Sequence, residues 1–251
     1  MTASGSKNID IQEDRGVRII TIKKDNPLNP LDVETLEDIA SAIKSDLMVT
    51  IIRGSSKAFS AGANIKFFKE LKPQDAYHFA IRGQNALDFI ASYERPVIAS
   101  IREFALGGGF ELALACDIRI CTPTTKMGLP EVTLGILPGW GGTQRLRRIV
   151  GETRAFEIIS SGRMISSDEA LSLGIVNAVE EDPDALAMEK ARFYAASALK
   201  SVAMIKELVR GKRFDMFERE KECFGIAFET EDAAEGVNAF LQKRKPVFKG
   251  R

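Results

Sequence analysis

The chain has 251 residues, 45% of them hydrophobic and 28% charged, with lysine plus arginine and aspartate plus glutamate balanced at 35 each. That is enough for one sizeable core with a smaller appendage, and the zero net charge excludes the broad field of a dedicated nucleic-acid or membrane-surface binder. One histidine, His78, and three cysteines, Cys116, Cys121 and Cys223, argue against a zinc site and a Ser/His/Asp triad and for reduced thiols.

The opening MTASGSKNIDIQEDRG holds no apolar run able to serve as a signal peptide, and no uncharged apolar stretch of membrane-spanning length follows, so a cytoplasmic protein is expected. VRIITIK, from Val17, is β-branched and bounded by Gly16 and the turn-rich DNPLNP, which predicts a strand. Asp32 then caps VETLEDIASAI, where Leu36, Ile39 and Ile43 form a buried helical stripe. VTIIRG, from Val49, is apolar up to Arg53, as in a strand covered on both faces.

A long helix runs from about Pro73 to Tyr93 with His78 on an exposed face; PVIASI is a strand, a helix opens at the glycines of FALGGGFE, and DIRICT is a strand. From Gly142 onward helices dominate: TQRLRRIVG, TRAFEIISSG, SSDEALSLG and one long PDALAMEKARFYAASALKSVAMIKELVRG. The alternation predicts an α/β fold with a mostly parallel sheet, helices outside and right-handed crossovers. Residues 1–190 are expected to form the core that carries the site, and 191–251 a helical region packed on that core or on a neighbouring subunit.

Two turns combine an apolar strand with unusual backbone freedom, KAFSAGANIK and FALGGGFE. Glycine lets a backbone approach a ligand closely, and N–H groups at a helix start are unsatisfied and lie at the positive end of its dipole. Two such groups converging would make an oxyanion hole. A phosphate cradle is disfavoured, because the dinucleotide fingerprint needs glycine where Leu112 stands and no GxxxxGK[ST] occurs.

Glu111 lies about one helical turn after Gly108, and Glu131 follows Pro130 in KMGLPEVTLGILPGWGG. Each taken singly reads as a surface charge or a cap, but the apolar neighbours of both make exposure hard to accept, since a buried carboxylate costs several kcal/mol unless paired or protonated. Two carboxyls with separated pKa values beside an oxyanion hole are what addition of water to an alkene conjugated with a carbonyl requires.

Taken together, AFSAGANIK, FALGGGFELALACD, MGLPEVTLGILPGWGGTQRL, GRMISSDEALSLGIVN and FETEDAAEGVNAFLQKRKPVFK resemble the crotonase superfamily, specifically its enoyl-CoA hydratases, from about residue 16 to 249. The resemblance implies a spiral of repeated ββα turns in place of the doubly wound sheet suggested by periodicity. It also implies a C-terminal helical region that trimerises and covers the CoA site, and trimers that commonly pair into hexamers. Carried over residue by residue, it puts the oxyanion donors on the N–H groups of Ala63 and Gly108 and the catalytic acids on Glu111 and Glu131, which together hold the reacting water. Gly139 falls where the loop contributes a backbone contact nearby, and Ala63, Asn64, Ile65 and Lys66 fall along the thioester and pantetheine, with Pro130 and Trp140 as further substrate contacts. No metal or redox cofactor is implied, because coenzyme A arrives as part of the substrate.

Three positions depart from the pattern: Asn64 stands where aspartate is usual, Glu103 where glycine is usual, and DNPLNPLD is richer in proline than the customary turn. Trp140 has two readings, a wall of the acyl pocket and an ordinary core side chain. The basic tail Lys243, Arg244, Lys245, Lys249 and Arg251 reads as a solvated end, with contact to CoA phosphates as its other reading. Two rival functions stay open: an isomerase or another crotonase reaction on the same enolate, and an RNA-binding relative with weak hydratase activity. Neutral charge and the lack of a basic helix interleaved with aromatics argue against the second.

Overall fold

A computed structural model describes residues 7–44, 47–55, 58–64, 72–211, 226 and 230–251. Its main sheet has six strands, β1 (Ile9–Asp14), β2 (Val17–Ile22), β3 (Val49–Gly54), β4 (Val97–Ile101), β6 (Ile118–Cys121) and β9 (Ala178–Val179), in that spatial order. β1 and β2 form an antiparallel hairpin, and every later neighbour in this sheet is parallel. The expected strands from Val17, Val49, Pro96 and Asp117 are all present, within a residue or two at their ends. β1 was not anticipated: the alternation of Ile9 and Ile11 stops at Glu13, and only Ile9 of its six residues is buried.

A smaller sheet holds β5 (Phe104–Leu106), β7 (Lys126–Gly128) and β8 (Ile165–Ser166), and Ser60 bridges to Ala105 at its edge. The chain therefore climbs repeatedly from the main sheet to the second layer and then into a helix. β3 leads to Ser60 and then α2 (Pro73–Ser92); β4 leads to β5 and then α3 (Gly108–Ala115); β6 leads to β7 and then a 3-10 turn (Pro130–Leu134). These successive ββα steps are the expected spiral, and they replace the doubly wound arrangement.

Side chains alternate across the main sheet. Ile20, Ile22, Ile52, Ala99 and Ile101 face the large core, with α1 (Val33–Lys44) contributing Leu36, Ile39 and Ile43 and α2 contributing Ala86, Leu87 and Ile90. Val17, Ile19, Val49, Ile51, Ile98 and Ile120 face the other way, onto Ala187 and Ala191 of α7 (Pro183–Ala195), whose small side chains let the helix lie close. α1 begins as predicted, with Asp32 accepting from the Thr35 N–H at 2.8 Å.

α4 (Gly142–Val150), α5 (Glu152–Ser161) and α6 (Ser167–Ser172) match the predicted helical segments. The long helix expected after them is two helices, α7 and α8 (Leu199–Arg210). The break needs no proline: Ser197 donates its hydroxyl to Phe193 O at 2.8 Å and so satisfies a terminal carbonyl of α7. The division expected at residue 190 lies within the span of α7, which packs on the sheet. The tail then returns to α9 (Glu231–Leu241), where Arg244 pairs with Glu235 at 2.6 Å and Lys249 and Arg251 both reach Glu231. No helix among the described residues is long and apolar enough to cross a membrane.

Candidate active site

Two loops meet in the second layer, one following β3 through Ser60 and the other following β5. Ser60, Ala61 and Gly62 follow β3 into the second layer, and Gly62 takes φ +100° with its N–H on Ser60 Oγ at 3.1 Å. A Cβ there would stand 2.8 Å from Leu106 O, so the position requires glycine twice over, for its conformation and for the close approach. Leu31 N–H bonds Gly62 O at 2.8 Å and Leu31 O accepts from Asn64 N at 3.0 Å. This leaves the Ala63 N–H turned away from Leu31, with no acceptor among the described residues. Asn64 is exposed beside it; Ile65 and Lys66 lie outside the described residues.

The second loop turns at Gly107, φ +50°, whose N–H is bonded to Gly128 O at 2.9 Å. Gly108 then opens α3, and its N–H also has no acceptor among the described residues, as befits the first turn of a helix. Every residue of α3 is buried, Glu111 included, at 2% exposure. The carboxyl is nonetheless held: its Oε1 accepts from the backbone N–H of Trp140 and of Gly142, each at 2.8 Å. Both hydrogen bonds fall on one oxygen.

Glu131 sits in the 3-10 turn that Pro130 opens, and its carboxyl comes over the seam between the loops. A Cβ on Gly107 would be 3.0 Å from Glu131 Oε1 and 3.7 Å from Gly62 Cα. Its Oε2 is buried with no hydrogen-bond partner among the described residues. Burial pushes Glu111 up to about 7, with the Glu131 charge adding to the rise and the Gly142 and Trp140 N–H groups opposing it. Burial also raises Glu131 above the usual carboxylate range.

The loop from Gly139 to Gly142 thus serves Glu111 through Trp140 and Gly142, whereas Gly139 offers its carbonyl to the Gln84 side chain at 2.9 Å. Arg145 steadies the same loop, donating to Trp140 O at 2.5 Å while pairing with Asp88 at 2.6 Å. The Trp140 indole is 1% exposed and packs on Phe79 with ring centroids 5.0 Å apart. Gln84 and Arg145 had not been singled out in the sequence, and Gly142 had been noted only as one of the glycines crowding that loop. Gly142 has a visible signal, a run of glycines opening an amphipathic helix, but Gln84 and Arg145 act on backbone oxygens, Gln84 from 55 residues away and Arg145 from the helix just after the loop, and leave no spacing to read.

Two of the departures acquire a structural setting. Glu103 adopts φ 52°, the left-handed region glycine enters without penalty, and its carboxyl accepts from Thr124 Oγ1 at 3.2 Å. Asn29, in the proline-rich DNPLNPLD, adopts φ 48°, and its buried side chain donates to Ala58 O at 2.7 Å, bracing the start of the first loop.

What the arrangement offers is two N–H groups on adjoining loops with no acceptor among the described residues, and beside them two carboxyls of raised pKa, the buried Glu111 and the half-buried Glu131. A family model described as enoyl-CoA hydratase/isomerase matches residues 12–251. A probable enoyl-CoA hydratase of Bacillus subtilis is 44% identical, over 96% of this chain and 98% of its own. A short-chain-enoyl-CoA hydratase of Clostridium acetobutylicum is 38% identical over 95% and 96%. Among solved structures, an enoyl-CoA hydratase from Geobacillus kaustophilus superposes with a TM-score of 0.94 at 35% identity, covering 99% of this chain and 98% of its own.

Proposed function

The chain belongs to the enoyl-CoA hydratase/isomerase family, and on that premise we propose that it adds water, in the syn sense, across the double bond of a trans-2-enoyl-CoA to give the 3-hydroxyacyl-CoA. The observation that carries this reading is the pairing of the buried Glu111 with the half-buried Glu131, two carboxyls of raised pKa at the mouth of two loops whose N–H groups have no acceptor among the described residues.

In this reading the thioester oxygen accepts from the N–H groups of Ala63 and Gly108, which draw electrons away from C3 and hold the negative oxygen that forms when water adds there. The α3 dipole, positive at Gly108, favours the same charge. Glu111 and Glu131 hold the water between them. One carboxyl must be ionised to take a proton as the oxygen attacks C3, and one must be protonated to deliver a proton to C2.

The local bonding divides these roles. Two N–H donors on Glu111 stabilise its ionised form against the burial that raises it, and the Oε2 of Glu131, with no partner among the described residues, is open to carry a proton. Glu111 then acts as base and Glu131 as acid, and after the turnover the proton passes back between them. Coenzyme A is carried by the substrate, and the reading asks for no other cofactor. Asn64, Ile65 and Lys66 are assigned to the pantetheine side and Pro130 to the acyl side.

We also propose that the protein self-associates, as a trimer or a pair of trimers. Val132, Leu134, Ile136 and Leu137 after Glu131, together with Phe156 of α5, are large apolar side chains left open to solvent, Leu137 at 71% and Phe156 at 75% exposure. Adjacent exposed apolar groups of this size are what a subunit contact covers.

The test is incubation of the purified protein with trans-2-enoyl-CoA esters from four to sixteen carbons, following loss of the conjugated enoyl absorbance and the product mass. Gain of one water supports the reading. No turnover at any length, or a product of unchanged mass, contradicts it.

A further inference from the structure

α3 supplies both Gly108 and Glu111, and its other end is gripped by two arginines, one from the strand that follows it and one from far along the chain. Arg119, on β6, donates from Nη1 to Ala113 O at 3.2 Å and to Cys116 O at 2.7 Å, and from Nε to Ile175 O at 2.5 Å. Arg210, the last residue of α8, donates from Nη1 to Ala115 O at 3.1 Å and to Ala91 O at 3.0 Å, and from Nη2 to Cys116 O at 2.7 Å. Three carbonyls at the close of α3 are thus bonded to guanidinium groups: Ala115 O and Cys116 O, which the helix end leaves without helical partners, and Ala113 O, which also accepts from the Cys116 N–H. Asp117, the next residue, receives Lys206 at 2.7 Å and Arg210 at 3.2 Å, and accepts from the Val97 N–H at 2.7 Å.

A helix of eight residues is too short to fix its own geometry; its position is imposed by what it touches. Its ends are separated by only about 12 Å, so a tilt allowed at Cys116 is felt at Gly108. Cations at the carboxyl end also complement the helix dipole whose positive end faces the proposed oxyanion. The fork of an arginine can bond two carbonyls at once, as both Arg119 and Arg210 do here, and a lysine cannot reproduce that geometry.

We infer that Arg119 and Arg210 are positioning residues for the reaction: by clamping the carboxyl end of α3, they fix the direction in which the Gly108 N–H and the Glu111 carboxyl leave its other end. The inference rests on the reading of Gly108 as an oxyanion donor. It gives α8 a task within its own subunit, as the strut that delivers Arg210 to a helix 94 residues earlier in the chain.

Arg119 is 7% exposed and its loss endangers folding, so the test is made at Arg210. Arg210→Met and Arg210→Lys are compared with Lys206→Met, because Lys206 ties α8 to Asp117 and to Arg95 O at 3.2 Å without touching a carbonyl of α3. Two quantities are read: kcat and KM on a short enoyl-CoA, and the red shift of a bound 3-aryl-2-enoyl-CoA, whose conjugated carbonyl reports the hydrogen bonds and field at its oxygen. Arg210→Met is expected to lower kcat about ten-fold with KM nearly unchanged and to shrink the red shift. Arg210→Lys should recover part of both, and Lys206→Met should lower the melting temperature while sparing both. Wild-type kcat and red shift in Arg210→Met, or an equal loss in Lys206→Met, overturns the positioning role and leaves the proposed function standing. A wild-type protein that neither turns over nor shifts the chromophore overturns the proposed function and this inference with it.

Discussion

The six-membered ring of Trp140 lies so close over Gly108 that a Cβ on that glycine would stand 2.3 Å from its Cζ3. Gly83 of α2 presses on the five-membered ring of the same indole, where a Cβ would stand 2.2 Å from Cδ1. The donor turn is therefore seated on a core aromatic clamped from two sides. Gly108→Ala is expected to destabilise the protein by about 1–3 kcal/mol through overpacking and to depress kcat by displacing the N–H. Trp140→Phe in the same chain should restore part of both losses, read by thermal melts and steady-state rates.

Burial of Glu111 makes a stability prediction of definite sign. Its folded pKa is raised from 4.5 to about 7, so across that interval the folded protein binds a proton that the unfolded chain has released. Stability then falls as pH rises through the interval, and the loss is complete above the folded value. Glu111→Gln keeps an oxygen for the two N–H donors and removes the charge. It should exceed wild type in stability by up to about 3 kcal/mol near pH 8 and differ little near pH 4. Denaturant melts at the two pH values check this.

Glu103 occupies the left-handed region at φ 52° on the connection between the two sheets. Glu103→Gly removes an unfavourable contact of Cβ with the following carbonyl, at the cost of greater freedom in the unfolded chain and of one bond from Thr124. A net gain of about 1 kcal/mol or less is expected, with activity unchanged.

Phe156→Asp and Leu137→Asp place a charge in the exposed apolar surface proposed for self-association. Sedimentation should show the wild type as a trimer or larger and the variants shifted toward monomer. Wild type sedimenting as a monomer removes the proposal.

Much of this structure could be read from the sequence where local chemistry and tertiary role coincide. The buried strands β2, β3 and β4 are β-branched and apolar, Asp32 caps α1 through its own side chain, and the glycines before Glu111 mark the start of α3. Elements escaped where the deciding partner lies far along the chain. β5 and β7 are three residues each and exist because they pair with one another, and the α7–α8 break occurs among residues of good helical character. The site divided along the same line. The carboxyls and glycines carry their signal in type and spacing, whereas Gln84, Arg145, Arg119 and Arg210 act on backbone oxygens that no side-chain pattern can reveal.

The central claim is that Glu111 and Glu131 act together on one water molecule, and it is tested most directly by kcat for a short trans-2-enoyl-CoA in Glu111→Gln and Glu131→Gln. Each substitution is predicted to lower kcat by about two orders of magnitude or more while CoA-ester affinity stays near the wild-type value. Turnover close to wild type in either variant contradicts the paired-acid account.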